Sequence, residues 1–166
     1  MKKFFSLLLS VILLFSCFSL SAFAVSNSKL TTTNIKDGDV EYLSDGSYIV
    51  TTITSEETTL MRSTSKTLTK SVRVYNSDKE ETCRLTLKAV FSINNGSSVT
   101  CTSSSCNTTI YQDGWSIVST SATRSNKTSY ATATATGTAK KKVLGITTKS
   151  IPLSTTITCY KDGSYK

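Results

Sequence analysis

The run Cys83-Arg84-Leu85-Thr86-Leu87-Lys88-Ala89-Val90-Phe91-Ser92-Ile93 decides the fold. Cys83, Leu85, Leu87, Ala89, Phe91 and Ile93 recur at every second position, and Arg84, Thr86, Lys88 and Ser92 stand between them. A period of two sends alternate side chains to opposite faces, so the run predicts a strand with one buried and one solvated face. Asn94-Asn95-Gly96 follows and suits the left-handed backbone of a tight hairpin turn, which places Val99 and Cys101 on the return strand.

The same pattern extends outward in both directions. Upstream, Leu68, Val72 and Val74 share one face, and residues 47–54 are rich in Tyr, Ile, Val and Thr, which suits a strand. Residues 55–65 are polar and read as a loop or linker. Downstream, residues 107–111 and 115–121 are weaker strands around the turn dipeptide Asp113-Gly114. Ala131, Ala133 and Ala135 alternate with Thr132, Thr134 and Thr136, and Ile151, Leu153, Ile157 and Cys159 line a last long strand. No segment carries a sustained helical period. Short strands, frequent turns and half-polar faces predict an all-β chain, an antiparallel β-sandwich of the Ig-like kind, with a small β-barrel as the alternative.

The first residues read as an address. Lys2 and Lys3 precede an apolar stretch broken only by Ser, and Ala22-Phe23-Ala24 puts small residues where a signal peptidase cuts. The expectation is a signal peptide over 1–24, a polar flexible segment over 25–46 and a sandwich domain over 47–166. Leu14-Phe15-Ser16-Cys17 resembles a lipid-attachment site, but Phe15 fits it poorly and the residues beyond Cys17 stay apolar. The expected product is secreted, with no transmembrane segment after processing, and free to associate non-covalently with a surface. Its oligomeric state is left open.

Composition removes several function classes. The chain has 166 residues and no His, which excludes a Ser–His–Asp triad, a Cys–His dyad and His-ligated zinc. The cysteines form no Cys-x-x-Cys pair, so no metal or other cofactor is expected. A carboxylate pair is the remaining acid–base chemistry. The 11 acids gather in turns and linkers, as at Glu56-Glu57 and Glu80-Glu81, where neighbours on a strand would point apart. The chain therefore does not read as an enzyme.

Three features bear on binding. Lys140, Lys141 and Lys142, with Arg124, Lys127 and Lys149, make the second half basic, and long-range attraction would draw such a protein to anionic cell-wall polymers or lipid headgroups. Nucleic acid is not expected, because no basic motif is interleaved with aromatics. The Thr ladder 132, 134, 136, 138 presents regular hydroxyls that can order water, as ice-binding surfaces do, or contact sugar hydroxyls. Trp115 and the tyrosines could offer a sugar-stacking platform, although a lone Trp beside a turn more often anchors a core.

Tyr42-Leu43-Ser44-Asp45-Gly46-Ser47-Tyr48-Ile49-Val50, Thr100-Cys101-Thr102, Trp115, Ala139-Lys140-Lys141-Lys142-Val143-Leu144-Gly145 and Thr158-Cys159 carry a resemblance over most of residues 42–166. They resemble a group of small secreted Ser/Thr-rich proteins of gut Clostridia and related Firmicutes. The resemblance implies export and an all-β fold and transfers no catalytic residue. It also implies that Cys101 and Cys159 are the usual cysteine pair of the group, with Cys83 and Cys106 additional.

Four cysteines remain after the leader: Cys83, Cys101, Cys106 and Cys159. An even count in an exported chain predicts two disulfides. If Phe91 faces Val99 in the hairpin, the ladder brings Cys83 opposite Asn107, one residue from Cys106, an offset a bulge can absorb. That favours Cys83–Cys106 and leaves Cys101–Cys159; Cys101–Cys106 with Cys83–Cys159 stays open. The functional expectation is a disulfide-bonded, non-catalytic binding protein contacting cell-wall polymers or extracellular glycans. The alternatives are a bacteriocin-like or toxin-like effector and a carboxylate-based glycan hydrolase.

Overall fold

The computed structural model describes residues 38–60, 63–94 and 96–166. The expected leader, Cys17 and the polar stretch up to residue 37 lie outside the described residues. Eight strands follow one another: β1 (Asp39–Tyr42), β2 (Tyr48–Leu60), β3 (Ser63–Tyr75), β4 (Glu81–Asn94), β5 (Ser98–Ile110), β6 (Trp115–Asn126), β7 (Tyr130–Val143) and β8 (Ile146–Tyr160). They form two antiparallel sheets, β1-β2-β3-β4-β5 (sheet A) and β6-β7-β8 (sheet B), and neither closes into a barrel. The chain is a β-sandwich. Every neighbour in each sheet is also a neighbour in sequence, so the sheets are two consecutive meanders without the Greek-key connections of an immunoglobulin domain.

The alternating positions are the core. Leu68, Val72 and Val74 of β3, all six odd positions of β4 from Cys83 to Ile93, and Ala131, Ala133 and Ala135 of β7 are buried, as are Ile151, Leu153, Ile157 and Cys159 of β8. The two inner faces differ in size. The inner face of β7 is Ala131, Ala133, Ala135, Gly137 and Ala139, whereas β4 supplies Leu85, Leu87 and Phe91. Small residues across from large ones let facing side chains interdigitate.

One side of the sandwich is closed and the other is not. β3, β4 and β5 lie over β8, β7 and β6. Along the β5/β6 side the sheets are stitched by side chains. The Arg124 guanidinium donates to the Thr102 carbonyl, and the Cys101 amide donates to Asn126 Oδ1 at 2.8 Å. On the opposite side, sheet A continues through β2 and β1. Two lysines of the inner face of β3 span this side. Lys70 Nζ donates to the Thr156 carbonyl of β8 at 3.0 Å, and Lys66 Nζ reaches the Gly163 carbonyl at 2.8 Å and Glu57 at 3.3 Å.

Several expectations are corrected. Among the described residues the first strand starts at Asp39, because β1 pairs with β2 from Asp39↔Thr51 to Tyr42↔Tyr48, so residues 39–42 are not part of a flexible segment. Residues 55–60 and 63–65 are strand, not linker. β2 and β3 stay paired down to Leu60↔Ser63, where neighbouring backbone supplies the hydrogen bonds that polar side chains did not announce. The return strand at Val99–Cys101 and the strand expected over 107–111 are one strand, Ser98–Ile110, with a bulge, since Val90 faces Ser103 and Phe91 faces Cys101.

That bulge also corrects the cysteine pairing. The hairpin places Phe91 opposite Cys101, not Val99, and the extra residue Thr102 shifts the register further in the same direction. Cys83 consequently faces Ile110 and Cys106 faces Leu87, four rungs apart on the ladder. Four rungs are roughly 13 Å, twice what a disulfide spans. Cys101 and Cys159 lie on opposite sheets, both buried in the core, and no bond joins them. All four cysteines are free thiols, so neither Cys83–Cys106 with Cys101–Cys159 nor the alternative pairing exists in this structure.

Candidate functional site

The outer face of sheet B is a lattice of hydroxyls. Strict alternation turns Thr132, Thr134 and Thr136 of β7 away from the buried alanines between them. The register sets each between a hydroxyl residue of β6 and one of β8. The rows are Ser125–Thr132–Thr158, Thr123–Thr134–Thr156 and Ser121–Thr136–Ser154. Nine positions, three by three, carry only Ser or Thr. Sheet geometry spaces them about 4.8 Å across the strands and about 6.7 Å along them. The hydroxyls are partly paired: Ser121 Oγ and Thr136 Oγ1 are 2.8 Å apart, and Thr134 Oγ1 and Thr156 Oγ1 are 2.9 Å apart. A bulge in β6 between Val118 and Ser121 keeps the lattice in phase. Without it, Ser121, Thr123 and Ser125 would turn inward.

Only the β7 column of this lattice stood out in the sequence. The β6 and β8 columns are Ser- and Thr-rich, but their alignment depends on a bulge that the residues do not announce.

The three candidate lysines do not form one patch. The next row, Val118–Thr138–Pro152, ends the lattice, because Thr138 has an apolar neighbour on each side; Lys140 follows on the same face in the row Ser116–Lys140–Ser150 and is half-buried. Lys141 and Lys142 are exposed beyond it, with Lys141 on the opposite parity. Lys149 is committed elsewhere, to the Asp45 carboxylate and to Ser47 Oγ at 2.6 Å. The bond from Lys149 and a further one from Ser47 hold the Asp45 carboxyl well below the usual carboxylate range. Arg124 is used in closing the β5/β6 side.

The aromatics give little room for stacking a sugar. Tyr48 and Tyr75 stack on each other at 4.9 Å between ring centroids and 4° between planes, one strand spacing apart, so each covers a face of the other. Tyr42 leans on Tyr48 at 5.8 Å and leaves its outer side exposed. Trp115 packs against the core.

The carboxylates are engaged singly. Arg84 grips Glu81 through two bonds of 2.7 and 2.8 Å, Glu57 pairs with Lys66, and the backbone and hydroxyl of Ser164 hold the Asp162 carboxyl below its ordinary value. Glu57 and Asp162 both line a shallow cleft of about 280 Å³ with Lys66 and Lys161. Among the described residues no cluster of three or more acids and cysteines is placed to hold a metal ion. Burial pushes all four thiols up, Cys159 to about 11, which keeps them protonated at neutral pH.

No protein-family model matches the chain, and no curated protein or solved structure does either.

Proposed function

We propose that this chain is a secreted, non-catalytic binding protein that docks extended, hydroxyl-rich glycans on the outer face of sheet B. The observation that carries the reading is the unbroken three-by-three array of Ser and Thr. Each hydroxyl both donates and accepts, so it can meet a sugar hydroxyl in either sense, and the Thr methyls offer apolar contact between the polar points. The array lies on strands paired into a sheet, so little is lost in ordering it when a polymer lies down. Lys140, at the end of the same face, adds a cation suited to an anionic wall polymer. The amino-terminal export pattern and the resemblance to secreted Ser/Thr-rich proteins support the same setting.

The test is retention of the chain from Val25 on insoluble peptidoglycan, cellulose and chitin. The triple variant Thr134→Val, Thr136→Val, Thr156→Val keeps side-chain shape and removes hydroxyls. Binding to at least one polymer that the triple variant loses, with an unchanged melting midpoint, supports the reading. Equal retention of both proteins, or retention of neither, removes it.

A further inference from the structure

The β7–β8 hairpin ends in a feature that neither sheet uses. β6 stops pairing at Trp115↔Lys141, while β7 and β8 continue for two more rungs, Lys142↔Thr147 and Val143↔Ile146. Residues 141–148 are all exposed. Among the described residues, the turn carries the most exposed aliphatic side chains: Leu144 is 98% exposed, Ile146 70% and Val143 50%. Leu144 also holds a left-handed backbone, φ 50°, followed by Gly145 at φ 82°. A two-residue turn of this kind favours Asn, Asp or Gly at its first position, and a branched apolar side chain there is disfavoured. An apolar residue that gains no packing from the fold, in a backbone it resists, is unexplained by folding.

Charge indicates what the tip meets. Lys141 and Lys142, both exposed, stand directly behind it, and neither has an ion-pair partner among the described residues. Asp113 belongs to the turn that meets this end through the bond from the Lys142 amide to the Gly114 carbonyl at 2.7 Å, and Asp45 is already held by Lys149. An apolar tip with cations one step behind matches the layering of an anionic bilayer, hydrocarbon below and headgroup phosphates above.

We propose that the 143–146 turn is a membrane-contacting finger, in which Val143, Leu144 and Ile146 enter the acyl region of an anionic lipid surface while Lys141 and Lys142 engage its headgroups. This surface is separate from the hydroxyl lattice and does not depend on it.

The test uses the chain from Val25, which lacks the apolar leader, with vesicles of phosphatidylcholine alone and of phosphatidylcholine with phosphatidylglycerol. Co-sedimentation with the anionic vesicles is expected, and little with the neutral ones. Leu144→Ser with Ile146→Ser should weaken binding by about tenfold or more, because the apolar area entering the lipid is lost. Lys141→Ser with Lys142→Ser should weaken it and reduce its response to salt. Both variants should melt as the parent does, since neither removes a buried side chain. Absence of binding to anionic vesicles overturns the proposal, and so does binding that the tip variant retains. If the parent is a dimer by light scattering and the tip variant a monomer that binds vesicles equally, the tip is a self-association surface and the proposal fails.

Discussion

Gly137 of β7 lies so close to Leu85 of β4 that a Cβ at position 137 would stand 3.4 Å from Leu85 Cδ1, and 3.0 Å from Ile117 Cγ2. The missing side chain is therefore part of the core's fit between the two sheets. Gly137→Val should destabilise by about 1–3 kcal/mol through overpacking. Leu85→Ala should cost about 2–5 kcal/mol by opening a cavity. Because the added volume falls beside the removed volume, the double variant should lose less than the two together. Urea denaturation of the four proteins checks this, and strict additivity would show that the two positions do not share space.

Free thiols behind a packed core lead to a clear expectation for reductant. The melting midpoint should be the same with and without dithiothreitol. A thiol-reactive probe should label Cys106 first, since it is only partly buried, and reach Cys83, Cys101 and Cys159 only on unfolding. A midpoint that falls on reduction would mean that a cross-link absent from this structure supports the fold.

Alkaline pH should weaken the protein before it harms its peptide bonds. Burial raises Cys159 from an ordinary value of 9.0 to about 11. The unfolded chain releases that proton first, so the stabilisation is complete below pH 9 and is lost as pH rises from there toward 11. The slope for one such group is at most about 1.4 kcal/mol per pH unit. Cys83, Cys101 and Cys106 shift the same way, while burial lowers Lys70 and opposes them. Cys159→Ala should flatten the alkaline fall in midpoint. An alkaline limb identical to the parent's would assign it to other groups.

The outer edge of β8 is guarded. Residues 164–166 return along it, with the amides of Thr158 and Lys166 each donating to the other's carbonyl at 3.0 Å. Alternation places the backbone groups of Thr156, Ser154 and Pro152 on the same side. Lys70 occupies the Thr156 carbonyl, and Pro152 has no amide to offer. Pro152→Thr with Lys70→Thr should raise aggregation on prolonged incubation, read by light scattering, with a smaller change in melting midpoint. No gain in scattering would show that the edge is protected by other means.

The sequence was legible where a single strand carried its own evidence. The alternation from Cys83 to Ile93 and that of the β7 alanines needed no partner to be read, and both lie in the core. It was illegible where register decided the outcome. The hairpin turn sets Phe91 against Cys101, two residues past Val99, and Thr102, which looks like its neighbours, adds one more as a bulge; together they separate Cys83 from Cys106. The bulge at Ser119 and Thr120 is equally silent, and it aligns the third column of hydroxyls. Lys66 and Lys70 interrupt the apolar face of β3, and their meaning appears only when the carbonyls of Gly163 and Thr156 arrive from the far end of the chain.

Consecutive meanders also set an order of assembly. All of sheet A precedes sheet B along the chain, so synthesis or export from the amino terminus delivers five strands before the first strand of their cover. Each hairpin can close on local contacts, which favours early strand pairing. Until β7 and β8 follow, Leu68, Leu85, Leu87 and Phe91 lie bare on one broad surface. A nascent chain halted after Ile110 would therefore be a sticky half-sandwich, and the interval between β5 and β8 is when this protein most needs a chaperone.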